Sequence, residues 1–273
     1  MASDEALMTR HFDTPQGSIS YWINQVSARP SLVFLPGLTA DHRLFDAQIE
    51  FFKTSCNVLV WDAPGHGASR PFELSFSLAD QAAWLHQILA VEGIERPILV
   101  GQSMGGYVAQ CFLQQFPGEA AGFISIGSAP LQRRYMSAIE IWLLRHVETL
   151  YRWYPWQALK RDGAKSCSHT THGRALMTAF FDTYTKDEYV ALSGFGYRML
   201  ADAVSAELPY LIDCPASMLC GEYDNAGSVR RYNKAWARTT GIELVWITNA
   251  GHNANVDQPG QVNQLIDRFI MQV

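Results

Sequence analysis

Seven short runs of β-branched and large apolar residues recur along the 273-residue chain, and helical patterns separate most of them. They are Ile19–Ile23, Leu32–Leu35, Val58–Trp61, Ile98–Val100, Gly122–Ile126, Ala216–Leu219 and Leu244–Ile247. From Leu32 onward the runs are almost unbroken in apolarity, the pattern of strands covered on both faces, which is how parallel sheets are built. Helix-like segments fall at Asp41–Phe52, Leu78–Val91, Met104–Phe116, Val229–Arg238 and Gln261–Met271. In the second of these, Leu78, Ala82, Leu85 and Leu89 recur every three or four residues and give one apolar face. Strand–helix alternation of this kind predicts the α/β class: a mostly parallel central sheet flanked by helices and joined by right-handed crossovers.

The alternation breaks between about Leu131 and Glu207, where no strand pattern occurs and helical patterns run over Arg133–Arg152, Trp156–Arg161, Arg174–Phe181 and Lys186–Ala203. This reads as a helical cap insertion, residues 131–207, within a core domain made of residues 1–130 and 208–273. The stretch LYRWYPWQ (Leu150–Gln157) makes it rich in large aromatics, and Trp142, Trp153, Tyr154 and Phe181 are expected to line an apolar or aromatic substrate pocket. Trp156, Phe180 and Tyr184 are further candidates, although aromatics at helical spacing usually pack within their own core. Residues 131–206 carry ten Lys and Arg against seven Asp and Glu, so Arg133, Arg134, Arg145 and Arg152 either favour an anionic substrate or form a solvated helix face.

A formal net charge of −5 argues against nucleic acid as the main partner. No apolar run reaches the roughly 18 residues of a membrane-spanning helix, and the start, MASDEALMTRHF, does not read as a secretory signal. Five cysteines without a C-x-x-C pair indicate neither a disulfide framework nor a zinc site. A cytoplasmic monomer or homodimer acting on a small molecule is the expectation.

One motif carries chemistry. Gly101-Gln102-Ser103-Met104-Gly105 matches G-x-S-x-G and follows the Ile98–Val100 strand directly, opening the next helix. On such a turn the serine hydroxyl stands above the carboxyl edge of the sheet, and the helix N-terminus behind it offers N–H groups to a developing oxyanion. The same pattern also fits a plain glycine-rich turn. A reactive serine needs a base, and the base an orienting acid, in the chain order Ser, acid, His, each after a late strand. Asp224 in MLCGEYDNAG and His252 in VWITNAGHNANVDQP meet both conditions. His66 and His42 precede Ser103, while Glu222 and Asp213 read as surface carboxylates and Asp257 as a helix-start residue. The Met104 amide is one oxyanion donor; Gly37 lets the loop after Leu32–Leu35 come close, which makes the Leu38 amide the second.

FLPGLTADHRLFD, VWDAPGHGAS, VGQSMGGYVA, CGEYDNAG and NAGHNANVDQP together resemble the α/β-hydrolase superfamily, in its small cap-bearing branch of esterases, enol-lactonases and carbon–carbon bond hydrolases. The resemblance implies the α/β-hydrolase fold from about Gly17 onward, with Ser103 as nucleophile, His252 as base, Asp224 as its partner and the Leu38 and Met104 amides as oxyanion hole. It also implies that Asp62, Gly65 and Gly67 shape a structural loop beside the site. Two departures stand out: Pro36, where the family commonly has His, and Asp257 two residues before Pro259, where it often has Glu. The expected activity is hydrolysis of a small carboxylic ester or lactone through an acyl-enzyme, which calls for no metal or other cofactor. Carbon–carbon bond hydrolysis or lysis with the same triad, and a ligand receptor on a hydrolase scaffold, are the alternatives.

Overall fold

The structure, a computed structural model, describes residues 7–24, 29–208 and 211–273. The first half of the chain contains β1 (Met8–Thr14), β2 (Gly17–Ile23), β3 (Ser31–Leu35), α1 (Asp46–Phe52), β4 (Asn57–Trp61), α2 (Leu78–Val91), β5 (Ile98–Gln102), α3 (Met104–Gln115) and β6 (Gly122–Ile126). Four longer helices follow without a strand: α4 (Ala138–Trp153), α5 (Trp156–Cys167), α6 (Thr171–Phe181) and α7 (Lys186–Ser205). The chain then returns to the sheet with β7 (Ala216–Gly221), α8 (Val229–Thr240), β8 (Glu243–Ile247), α9 (Ala254–Asp257) and α10 (Pro259–Ile270).

Among the described residues eight strands form one sheet in the order β1-β2-β4-β3-β5-β6-β7-β8. The β1–β2 and β2–β4 pairs are antiparallel, and every pair from β4 to β8 is parallel. All seven apolar runs read from the sequence are strands of this sheet. β1 is the addition: MTRHFDT alternates polar residues on an exposed edge, so it lacks the apolar run that marks the others.

Period-two alternation divides the core. Val33, Leu35, Leu59, Trp61 and Leu99 face α2 and α3, whereas Leu32, Phe34, Val58, Val60, Ile98 and Val100 face α1 and α10. Capping boxes start α2 (Ser77 with Asp80), α4 (Ser137 with Glu140) and α7 (Thr185 with Glu188), satisfying amides that have no acceptor within the helix.

Helix α3 rests directly on β3 because Gly105 has no side chain. A Cβ there would lie 1.9 Å from the Leu35 carbonyl oxygen, a backbone atom that cannot yield without moving a central strand. Gly105→Ala is expected to cost about 3 kcal/mol, at the upper end of ordinary overpacking. Melting should fall by roughly 6–12 °C; a thermal scan showing no change would contradict this packing.

Candidate active site

Ser103 sits between β5 and α3 with φ 49° and ψ −114°, a backbone conformation costly for any residue with a side chain. Its neighbours hold it there. The Ser103 amide donates to Ile126 O on β6 (2.8 Å), and Ser128 Oγ donates to Ser103 O (2.7 Å). The strained turn follows from the fit of α3 against the sheet, and it sends the hydroxyl toward a cavity of about 480 Å3 that Ser103 and His252 both line.

His252 lies in the loop between β8 and α9 and is buried, as is Asp224 after β7. Nδ1 of His252 is 2.9 Å from Asp224 Oδ2. A carboxylate only accepts, so Nδ1 carries the proton and Nε2 is left with its lone pair. Asp224 Oδ1 accepts from the Ala226 amide (2.9 Å), which fixes the carboxylate. Gln102, the residue before Ser103, ties the serine turn to the histidine loop by donating to Asn253 Oδ1 (2.9 Å) and His252 O (3.3 Å).

The rival groups are engaged elsewhere. His66 Nδ1 is 3.0 Å from Pro64 O, and burial pulls that imidazole below its ordinary pKa. His42 is 2.9 Å from Asp62 Oδ1; burial lowers its pKa, but the Asp62 hydrogen bond and charge outweigh this and leave it raised. Asp62 also takes the His42 and Ala68 amides, so the Asp41–His42–Asp62 cluster is closed by its own loop and by Arg43. Glu222 accepts from the Asn249 amide and Asp213 from the Gly118 amide.

Gly37 brings the β3 loop against the serine turn. A Cβ at Gly37 would lie 2.2 Å from Gln102 Oε1 and 3.1 Å from Ser103 Cβ, so a side chain there would displace the Gln102 amide and crowd the serine. Leu38 and Met104 both line the cavity, and the Met104 amide, first in α3, has no acceptor within the helix. Leu38 in turn packs under α7, where a Cβ at Gly196 would lie 2.5 Å from Leu38 Cδ1.

The expected aromatic lining needs correction. Phe181 lines the cavity, but Trp142, Trp153 and Tyr154 do not; they are 54%, 85% and 41% exposed. Trp156, Phe180 and Tyr184 also lie outside the lining. The aromatic residues that do face the cavity were missed: Tyr151 from α4, Tyr189 and Tyr197 from α7, Tyr107 from α3 and Tyr232 from α8. Helical phase was the available signal, because Tyr151 and Trp153 are separated by roughly 200° around one helix. Arg133, Arg134, Arg145 and Arg152 also stay outside the cavity; Arg145 pairs with Asp202 and Arg152 with Glu148.

Two carboxylates tie helices α4 and α6 to the segments after β7 and β8. Asp257 is buried and serves as an acceptor rather than a helix start, taking the Gly251 amide (2.8 Å), the His169 amide (2.7 Å) and the Thr170 amide (3.0 Å) and hydroxyl (2.5 Å). Glu140 on α4 accepts from Ser228 Oγ (3.0 Å) and Arg231 (2.6 Å) at the acid-bearing side of the cavity. Burial raises the Glu140 pKa, but hydrogen bonds from Tyr232, Ser137 and Ser228 outweigh it and bring it to about 2. Its folded pKa is thus below its ordinary 4.5, so Glu140 stabilises the fold fully above pH 4.5 and loses that contribution as pH falls toward 2. The melting-temperature gap between wild type and Glu140→Gln should therefore shrink steadily between pH 5 and 3. A gap independent of pH would contradict the assignment.

Residues 32–265 match the Alpha/beta hydrolase family, from β3 through most of α10. The chain belongs to the α/β-hydrolase family. Among curated α/β-hydrolase relatives it is 29% identical over 244 residues to the 2-succinyl-6-hydroxy-2,4-cyclohexadiene-1-carboxylate synthase of Salmonella newport, a match spanning 85% of this chain and 90% of that enzyme. Its fold is similar to that of a thermophilic esterase from Thermogutta terrifontis (TM-score 0.72, 23% identity, 97% of this chain and 98% of that one). It is also similar to the enol-lactonase from Burkholderia xenovorans (TM-score 0.76, 18% identity, 96% and 100%). No helix among the described residues of this α/β-hydrolase is long and apolar enough to cross a membrane.

Proposed function

We propose that this α/β-hydrolase cleaves small carboxylic esters or lactones with Ser103 as nucleophile, His252 as general base and Asp224 as its orienting acid. The observation that carries the reading is the junction of an Asp-paired imidazole and a strained serine at one cavity. His252 Nε2 takes the Ser103 proton as Oγ adds to the carbonyl carbon, and the Leu38 and Met104 amides receive the oxyanion. Collapse of the tetrahedral intermediate expels the alcohol, which leaves with the proton held on His252. Water, deprotonated by the same imidazole, then attacks the acyl-enzyme and frees the acid. Residues 131–207 act as the cap, since Tyr151, Phe181, Tyr189 and Tyr197 form one side of the cavity and Ser103 and His252 the other. Five unpaired thiols fit a reducing, cytoplasmic setting.

The similarity to a synthase that makes a carbocyclic carboxylate supports a second reading, carbon–carbon bond cleavage or elimination with the same three residues. Turnover of p-nitrophenyl acetate and butyrate, with fluorophosphonate labelling mapped to Ser103, tests the first. Labelling together with ester turnover supports it. Labelling without ester turnover moves the assignment to the second reading, and a protein that shows neither labelling nor turnover refutes both.

A further inference from the structure

The lining of the cavity restricts what can enter it. Among the described residues no Lys or Arg faces it, and its one carboxylate, Glu140, is already occupied by Ser137, Ser228 and Arg231. An anionic substrate group would lose its water here and gain no Lys or Arg counter-charge. The cavity is nevertheless not simply oily. Tyr151 of α4 and Tyr197 of α7 both line it, and Tyr151 and Tyr189 stack with ring centres 6.2 Å apart. Ser193, 1% exposed, also lines the cavity, and its Oγ has no hydrogen-bond partner among the described residues. Thr39, next to Leu38, adds a further hydroxyl to the lining, its proton donated to Leu38 O (2.7 Å).

Resting on the esterase reading above, we infer that the cluster of Tyr151, Tyr189, Tyr197 and Ser193 binds an uncharged oxygen carried by the acyl group of the substrate, a hydroxyl or a ketone. Phenols and a serine hydroxyl can donate to such an oxygen, and Ser193 can accept from a hydroxyl. A purely aliphatic acyl chain would leave the buried Ser193 hydroxyl without a partner. A carboxylate would meet donors but no cation. The preferred substrates are therefore neutral hydroxyacyl or oxoacyl esters, in preference to both alkanoyl and dicarboxylate monoesters.

The test compares p-nitrophenyl 3-hydroxybutyrate and levulinate with p-nitrophenyl butyrate and the hemisuccinate, all on one preparation so that loss of folded protein cancels. Wild type should favour at least one oxygenated ester over butyrate by about tenfold or more in kcat/KM, and should be slowest on the hemisuccinate. In Tyr197→Phe, and separately in Tyr151→Phe, that ratio should fall toward one. A ratio unchanged in both variants, or hemisuccinate turned over as fast as butyrate, overturns the inference. If wild type hydrolyses none of the four esters, the esterase reading fails instead. The cluster is then judged by thermal shift, where methyl 3-hydroxybutyrate should stabilise the wild type more than monomethyl succinate does, and equal shifts would overturn it.

Discussion

Ser103→Ala should lower kcat/KM for p-nitrophenyl butyrate by at least about 10³-fold while the protein stays folded, the scale of loss when a serine nucleophile is removed. The backbone makes the prediction sharper than a bare knockout. At φ 49° and ψ −114° the residue is strained whatever its side chain, so alanine removes the hydroxyl and keeps the strain. Glycine removes both. Ser103→Gly should be as inactive as Ser103→Ala yet more stable than it by about 1 kcal/mol or more, read as a melting temperature higher by a few degrees. The two variants separate chemistry from conformation. Wild-type turnover in either would show that another group attacks the ester, and equal stability would show that the turn stores no strain.

That strain is where local sequence rules stop being sufficient. Gly101-Gln102-Ser103-Met104-Gly105 identifies the turn, and the runs before and after it identify β5 and α3 almost to the residue, because apolar continuity and helical periodicity are local signals. The order of Ser103, Asp224 and His252 could be read because each follows a strand that the pattern reveals. What brings them together could not be read, because it depends on contacts between distant segments: Gln102 with Asn253, Gly37 with Ser103, and Gly196 of α7 with Leu38. The cavity lining was the least legible part. Aromatic content drew attention to Trp142, Trp153 and Tyr154, yet a helix with a wet and a dry face puts only half its rings inward, and α4 turns Tyr151 and Leu144 toward the cavity. Side-chain size said nothing of phase. Counting helical register from Glu140 separates Trp142 and Trp153 from 140, 144 and 151, which share a face, whereas Tyr154 shares their register but lies beyond the last helical residue, Trp153, with extended backbone.

Asp257→Ala is expected to be the most damaging polar substitution in the molecule. The carboxylate stands at the N-terminus of α6, where the helix dipole favours negative charge, and takes four donors from three residues at two places in the chain. Alanine would leave the buried Gly251 amide and the part-buried His169 and Thr170 amides without this acceptor, at about 1–3 kcal/mol for the buried one and less for the others. A net loss of about 3–5 kcal/mol, matching the removal of one partner from a buried charged network, corresponds to a fall of roughly 10 °C or more in melting temperature. The same bonds fix the loop that presents His252, one residue beyond Gly251, and Asn253 N is itself tied to Cys167 O at 2.7 Å on the insertion. Loss of the carboxylate should therefore also lower kcat more than it raises KM, measured well below the new melting temperature. Asp257→Asn, which keeps one acceptor oxygen, should recover part of both effects. An alanine variant with wild-type kcat but reduced stability would confine Asp257 to holding the two layers together and separate it from the alignment of the imidazole.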